Sequence, residues 1–238
     1  MMKLLVYITL LGSLFAQSLD DEINEKFIKS LVDDINRKRD NTVIKRIDDS
    51  AILNTNYSSH AEVIRIKALY NLDEVDLALI RAKAINPLNL PSNLRTSFYL
   101  IMGDIYSVKG YYDLAFQNYI DARRVNIDSR SKKTINRRIA KLLPLNLKYD
   151  TLELLLLLEE DERNKNIILL AQTFTLAFDG SSNTAEKFQK IDVSMLDIEF
   201  RSNYNFLNRN IDSETTFSKK VGVIFPLQMK IQQSQMLS

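Results

Sequence analysis

The sequence predicts an all-α fold, and two observations support that prediction. Apolar residues recur at three- and four-residue steps along almost all of the chain, which is the period of an amphipathic helix. Glycine is scarce: the 238 residues include five, whereas average usage of about 7% would give about seventeen. Because tight hairpins and phosphate-binding loops need clustered glycines, all-β folds and nucleotide-binding folds are both disfavoured.

Residues 1–18 are predicted to be a signal peptide. A short basic start precedes an apolar stretch of about thirteen residues, Leu4–Ala16, which is too short for the roughly 20 residues that span a bilayer. Ala16 and Ser18 place small side chains where cleavage before Leu19 needs them. We therefore expect export to the periplasm, with no stable membrane span after cleavage. An uncleaved membrane anchor is the alternative.

Residues 19–212 are predicted to form a succession of helices. The first begins at Ser18, which with Asp21 resembles a capping box, and ends at the basic residues 37–39. Its apolar face comprises Ile23, Phe27, Ile28, Leu31, Val32 and Ile35. A short element follows around Val43, Ile44 and Ile47. Further helices are expected over 58–72, 74–86, 94–109, 111–125, 129–142, 150–158, 164–178, 182–191 and 195–209.

The boundaries of these helices follow from breakers and caps. Pro87, Pro91 and Pro144 cannot occupy helix interiors, and the sequence 179–182 is typical of a tight turn. Asp150 and Glu153 have the spacing of a second capping box. The acidic run 159–162 could suggest a metal or acid–base site, but nothing convergent accompanies it. A solvated helix end and loop is the favoured interpretation.

One window, from Thr96 to about Ser129, matches a 34-residue repeat position by position. The matched positions are Tyr99, Met102, Gly103, Tyr106, Ala115, Tyr119 and Ala122. In this register the small residues allow close helix approach and the aromatic residues fill the space between repeats. Gly110 stands where a left-handed helix cap is needed. The position that usually holds proline is Ile127, which departs from the pattern.

This window resembles a tetratricopeptide repeat. Residues 59–90 and 163–191 look like more degenerate copies, so the chain supplies about the three units that a repeat stack needs. The resemblance implies an all-α superhelix of helix–turn–helix repeats. The alternative is a generic helical bundle whose small residues merely pack.

A tetratricopeptide superhelix would present a concave groove lined by the first helix of each pair. In the best-matching window the groove positions are Ser97, Leu100, Asp104, Ser107 and Val108. This mixture of one acid, hydroxyl groups and aliphatic side chains suits a peptide or helix better than a phosphate or a lipid. Alternatively, some of these residues contact only a neighbouring repeat.

The chain changes character over residues 213–238, which we expect to contain a linker, a single strand and a disordered tail. Val221–Leu227 is a short β-prone apolar run after two lysines. Helical repeats followed by this run resemble exported proteins with a type I periplasmic-binding domain, such as penicillin-binding-protein activators and Leu/Ile/Val-binding-like proteins. The resemblance implies the first strand of such a domain, truncated here. A plain terminal strand or tail is the alternative.

The composition argues against catalysis and cofactors. The chain has no cysteine and one histidine, so a thiolate nucleophile, a histidine-rich metal site and a Ser-His-Asp triad are all disfavoured. His60 follows two serines near a predicted helix start, where a surface or capping role is favoured. The formal net charge of +2 gives no electrostatic case for nucleic acid. We expect no catalytic residue, metal or cofactor.

These inferences predict an exported, non-catalytic helical-repeat scaffold that binds a protein or peptide in the cell envelope. The activator resemblance implies a partner from the peptidoglycan-synthesis machinery. The alternative is the N-terminal part of a type I periplasmic-binding-type receptor, or of a peptidoglycan-synthase activator, that has lost its ligand domain.

Overall fold

The computed structural model describes residues 20–126, 128–145 and 147–211. Across these ranges the fold is all-α, as predicted: 78% of the residues lie in helices and none lies in a strand. The predicted signal peptide, Ser18 with its capping box, Ile127 and the β-prone run Val221–Leu227 lie outside the described residues.

The helices follow one another with short connections. α1 occupies the described residues 20–36. The next five are α2 (Asp40–Asp48), α3 (Ser58–Asn71), α4 (Val75–Lys83), α5 (Ser92–Val108) and α6 (Tyr112–Val125). They are followed by α7 (Ser129–Leu142), α8 (Tyr149–Leu158), α9 (Glu162–Phe178), α10 (Thr184–Gln189) and α11 (Arg201–Asn210). Short 3₁₀ helices lie at Ile52–Asn54, Pro87–Asn89, Val193–Met195 and Ile198–Phe200.

Most predicted boundaries agree with the structure to within about three residues. Two predictions at the C-terminal end were too simple. The helix expected over 182–191 is the shorter α10, and the one expected over 195–209 is two 3₁₀ turns followed by α11. Short polar side chains beside these elements bond the backbone, which favours turns over a continued helix. Asp192, for example, accepts a hydrogen bond from the backbone N–H of Ser194 at 2.8 Å.

The chain divides into two compact units, Met1–Ile101 and Met102–Ser238, with the boundary inside α5. In the first unit α2 packs on α3 and α3 packs on α4. Its core is a cluster of buried aliphatic side chains: Ile28, Leu31, Val43, Ile47, Ile52, Ala61, Ile64 and Ala68. Ile23 and Val32, which the periodicity assigned to the same face of α1, are exposed.

In the second unit successive helices pack as neighbours. The pairs α6 and α7, α8 and α9, and α9 and α10 are in contact, and α7 also packs on the 3₁₀ turn Ile198–Phe200. Phe116, Phe174 and Phe200 are fully buried. The rings of Phe174 and Phe206 stack with centroids 6.1 Å apart, which joins α9 to α11.

Glycines follow the ends of two helices, as expected, and aspartates cap the starts of two others. Gly110, between α5 and α6, has φ of +76°, and Gly180, after α9, has φ of +65°. Both are left-handed conformations that favour glycine. Asp128 and Asp161 cap α7 and α9 by accepting hydrogen bonds from the backbone N–H groups of residues 131 and 164.

The predicted capping box at Asp150 and Glu153 is wrong. α8 begins two residues earlier than that box requires, and Lys148 precedes its first turn without a side-chain cap. The N–H of Lys148 instead donates to the Asp113 carboxylate at 2.7 Å. A contact from a distant part of the chain therefore holds this helix start.

None of the helices in the described ranges is both long enough and apolar enough to traverse a bilayer.

Candidate functional site

The five predicted groove residues all lie on α5, but their surroundings differ. Ser97 and Val108 are exposed, and Leu100 and Ser107 are half-buried. Asp104 is buried, with 5% of its surface exposed.

Asp104 is held inside the second unit by two partners. Arg138 on α7 pairs with its carboxylate, and the Nη2–Oδ2 distance is 2.8 Å. The Tyr119 hydroxyl on α6 donates to its Oδ1 at 2.8 Å. The carboxylate therefore links α5, α6 and α7 rather than standing free for a ligand.

Gly103 makes this arrangement of α5 and α6 possible. A Cβ at this position would lie 2.9 Å from Cζ of Tyr119 and closer still to Cδ1 and Cε1. Ala115 and Ala122, on the same helix as Tyr119, are fully buried. The close approach expected at Gly103 is present between the two helices.

Arg123 is the centre of a second buried network. Its Nε donates to Asn164 Oδ1 at 2.5 Å, its Nη1 donates to Asn136, and its Nη2 lies 2.7 Å from Asp197 Oδ2. One guanidinium from α6 thus connects α7, α9 and the segment before the last 3₁₀ turn. Only 5% of the Arg123 side chain is exposed.

Asp197 also accepts a hydrogen bond from Lys132 Nζ at 2.9 Å. Burial raises the pKa of Asp197, but its interactions with Lys132 and Arg123 outweigh burial, so the pKa lies below the ordinary aspartate value. The carboxylate is therefore held in its charged form.

The acidic run 159–162 only partly fits the expected solvated helix end. Residues 160, 161 and 162 are exposed, whereas Glu159 is buried, with 4% of its surface exposed. Glu159 Oε2 accepts from Arg124 Nη2 at 3.0 Å, and its Oε1 accepts from two backbone N–H groups. It serves as a structural anchor for the α8–α9 connection.

The surface of α7 is the most strongly charged helix face of the second unit. This helix carries six basic residues and no acidic one: Arg130, Lys132, Lys133, Arg137, Arg138 and Lys141. Lys132 and Arg138 are neutralised by Asp197 and Asp104. The other four are exposed and lie three or four residues apart, so they share one face. We call Arg130, Lys133, Arg137 and Lys141 the basic row.

Two shallow depressions adjoin these charged groups. One, of about 430 Å³, is lined by Thr134, Arg137, Arg138, Ala140, Lys141 and Glu199. The other, of about 270 Å³, lies over the Arg123 network and includes Arg124, Lys132, Arg163 and Asn126. In the second depression the cations already have acidic partners, such as Asp197 and Glu159.

Sequence reasoning missed the basic row because it weighed charge over the whole chain. The total is close to neutral, with 32 basic and 30 acidic residues. A count restricted to the predicted helix 129–142 would have found six basic and no acidic residues. The signal was present in the sequence at the scale of one helix.

His60 lies in the first turn of α3, where its ring centroid is 5.7 Å from that of Tyr57. Burial lowers its pKa, which favours the neutral imidazole. Acidic residues and His60 nowhere form a group that could hold a metal ion in the part of the chain that the structure describes.

Comparisons with protein-family models, with curated proteins and with solved structures find no significant match. Over the residues that the structure describes, the fold is all-helical, with about 11 helices. Its helices pack in pairs, and α7 has a strongly basic face.

Proposed function

We propose that this chain is an exported, non-catalytic scaffold of helix–turn–helix repeats that binds a protein or peptide in the cell envelope. The observation that carries the proposal is the spacing at which alternate helices begin along the chain. The helices α3, α5, α7 and α9 begin at Ser58, Ser92, Ser129 and Glu162, so successive starts are 34, 37 and 33 residues apart. A tetratricopeptide repeat has 34 residues.

Packing between α5 and α6 supports the same proposal. The small residues Gly103, Ala115 and Ala122 are buried at the positions where a tetratricopeptide repeat requires close approach. Tyr119, the aromatic residue of the second helix, covers Gly103. These contacts depend on the matched residue types, since a generic helix pair does not need glycine at that point.

On this proposal the partner contacts α5 through its accessible residues. Ser97, Leu100, Ser107 and Val108 offer hydroxyl groups and aliphatic surface to a peptide. Asp104 acts indirectly, because its ion pair with Arg138 fixes α5 against α7. Buried ion pairs of this kind contribute more to fixing how two helices align than to binding affinity.

Site-specific photo-crosslinking in the native cell tests the proposal. A benzophenone amino acid is placed at Ser97 or at Val108, and at Ser202 as a control, since Ser202 is an exposed position on α11. We expect the same crosslinked species from both α5 positions and none from Ser202. Crosslinks that are absent, or equal at all three positions, would contradict the proposal.

Export has its own test. The intact mass of the protein recovered from the periplasm is expected to correspond to a chain that begins at Leu19. Full-length protein retained in the membrane fraction would favour the uncleaved anchor instead.

The receptor or activator alternative rests on the resemblance of Val221–Leu227 alone. It makes a distinct prediction, because a coding sequence for a two-lobed ligand domain should follow the codon for Ser238 in one of the reading frames. Absence of such a sequence would reject this alternative and leave the scaffold proposal intact.

A further inference from the structure

The cations of α7 fall into two groups according to where they lie on the helix. The inner face is apolar, with Ile135, Ile139 and Leu142 buried. On its flanks Lys132 and Arg138 pair with acidic residues of neighbouring elements. The outer face carries the basic row.

The basic row lacks the partners that the flanking cations have. Within the described ranges, Lys133, Arg137 and Lys141 form no ion pair or hydrogen bond through their side chains. Arg130 has only Asp128, the cap of the same helix, whose pKa is lowered chiefly by hydrogen bonds with Ser131 and to a smaller extent by the charge of Arg130. Successive members lie on adjacent turns, and like charges at that spacing destabilise a helix. The arrangement is therefore unfavourable for the isolated chain and favourable once an anion covers it.

The spacing of the row indicates the form of that anion. Its charges recur once per helical turn, about 5.4 Å apart, over about 16 Å in total. Carboxylates on one face of a second helix recur with the same period. We propose that the basic row docks an acidic helical segment of a partner protein, with carboxylates repeating every three or four residues. This inference rests on the proposed scaffold function and names the chemistry of its partner.

Other polyanions fit the row less well. Single-stranded nucleic acid is bound with aromatic side chains on which bases stack, and the row has none. A membrane-surface helix needs apolar side chains on its exposed face, whereas those of α7 are buried.

Fluorescence anisotropy with defined probes tests the inference on the purified protein. The probe is a labelled helical peptide with glutamates on one face, and its comparison is a peptide of equal composition with the glutamates scattered around the helix. The test variant is Lys133→Glu/Arg137→Glu/Lys141→Glu. The matched control is Lys45→Glu/Lys83→Glu/Arg209→Glu, which changes net charge equally at exposed positions on three other helices.

We expect the one-faced peptide to bind about tenfold or more tightly than the scattered one, with affinity that falls as salt rises. The test variant should lose about tenfold or more in affinity, and the control should stay within about twofold. Circular dichroism must show both variants folded. The single variant Arg137→Glu gives a second test, and we expect it to bind the one-faced peptide more weakly than the unsubstituted protein. Unchanged affinity of this variant would overturn the inference.

Equal binding of the two peptides, or tighter binding of single-stranded DNA or phosphatidylglycerol vesicles, would also overturn the inference. Its failure is distinguishable from failure of the scaffold proposal. Crosslinks from Ser97 and Val108 that persist without peptide binding reject the docking surface alone, whereas their absence rejects the scaffold.

Discussion

At the scale of single residues, the second unit depends on a few charged side chains that are buried and paired. Arg123 connects three other segments, and its partner Asn164 is 41 residues away in the sequence. Asp104 joins α5 to α7 through Arg138, across 34 residues. Removing one partner from a buried pair leaves the other charge without compensation, which costs more than the pair contributes.

Arg123→Met is expected to lower the free energy of unfolding by at least about 2 kcal/mol, because two buried asparagine oxygens lose their donor, although Asp197 keeps Lys132 as a partner. Urea denaturation followed by circular dichroism measures the change. Lys190→Met, which removes a solvent-exposed pair with Glu186, should leave the free energy of unfolding almost unchanged, because water screens such pairs. Equal effects from the two substitutions would show that the Arg123 network has no special role.

Gly103→Ala is expected to destabilise the protein by up to about 2 kcal/mol. Overpacking against the Tyr119 ring costs about 1–3 kcal/mol, and alanine returns about 1 kcal/mol of helix propensity. The ring cannot easily move, because its hydroxyl is bonded to Asp104. Ser97→Ala, at an exposed position of the same helix, should be neutral or stabilising in the same denaturation assay. A stabilised Gly103→Ala variant would mean that the two helices are not held this closely.

Asp197 and Asp121 should affect stability with opposite dependence on pH. The pKa of Asp197 is lowered in the folded state despite burial, by Lys132 and Arg123. Its stabilisation is therefore complete above its unfolded pKa of about 3.9 and is lost as pH falls through the lower folded value. Burial raises the pKa of Asp121, more than Arg124 lowers it. Its favourable contribution is present at low pH and is lost as pH rises through the folded value.

Urea midpoints of Asp197→Asn and Asp121→Asn at about pH 3, 5 and 7 measure these contributions. The deficit of Asp197→Asn relative to the unsubstituted protein should shrink towards the lowest pH. Asp121→Asn should improve, relative to the unsubstituted protein, as pH rises. Parallel trends in the two variants would contradict the assigned electrostatics.

At the scale of the element, local signals predicted the helices well and their contacts poorly. Pro87, Pro91 and the left-handed Gly110 mark boundaries within a few residues of sequence. The predicted apolar face of α1 was too wide. Ile23 and Val32 lie at its two edges, and only the residues at its centre contact the core. The α8 start is held by Asp113, 35 residues away, and no local pattern reveals such a partner.

In the candidate groove, too, the sequence predicted the helix on which the residues lie but not their contacts. All five residues were placed correctly on one helix, since their spacing is a local property. The burial of Asp104 depends on Arg138 and Tyr119, which lie on other helices. Long-range ion pairs of this kind follow from tertiary packing, so residue spacing alone could not separate Asp104 from its exposed neighbours.

The like charges of α7 give a prediction for this element. Arg137→Glu replaces two repulsive contacts with Lys133 and Lys141 by two attractive ones, each worth about 0.2–0.5 kcal/mol. We expect the free energy of unfolding to rise by about 1–2 kcal/mol in low salt. Arg138→Glu is the contrasting variant, because it places an acid against buried Asp104 and should destabilise strongly. A destabilised Arg137→Glu variant would indicate an intramolecular partner for the basic row.

At the scale of the whole molecule, the all-α class was predictable because helix periodicity and glycine scarcity are properties of composition and local order. The division into two compact units within α5 was not predicted. A helix that continues across the boundary gives no sequence signal there, since its caps lie at residues on either side. The helices α3, α5, α7 and α9 begin 33 to 37 residues apart along the chain, and this spacing was visible in the sequence.

The central claim is that α5 contributes to a protein-binding surface. Isothermal titration of the purified protein with the partner identified by crosslinking tests it most directly. We predict saturable binding that Ser97→Arg/Val108→Arg weakens by about tenfold or more, while Ser202→Arg leaves it unchanged. Absence of binding, or equal weakening by Ser202→Arg, would contradict the claim.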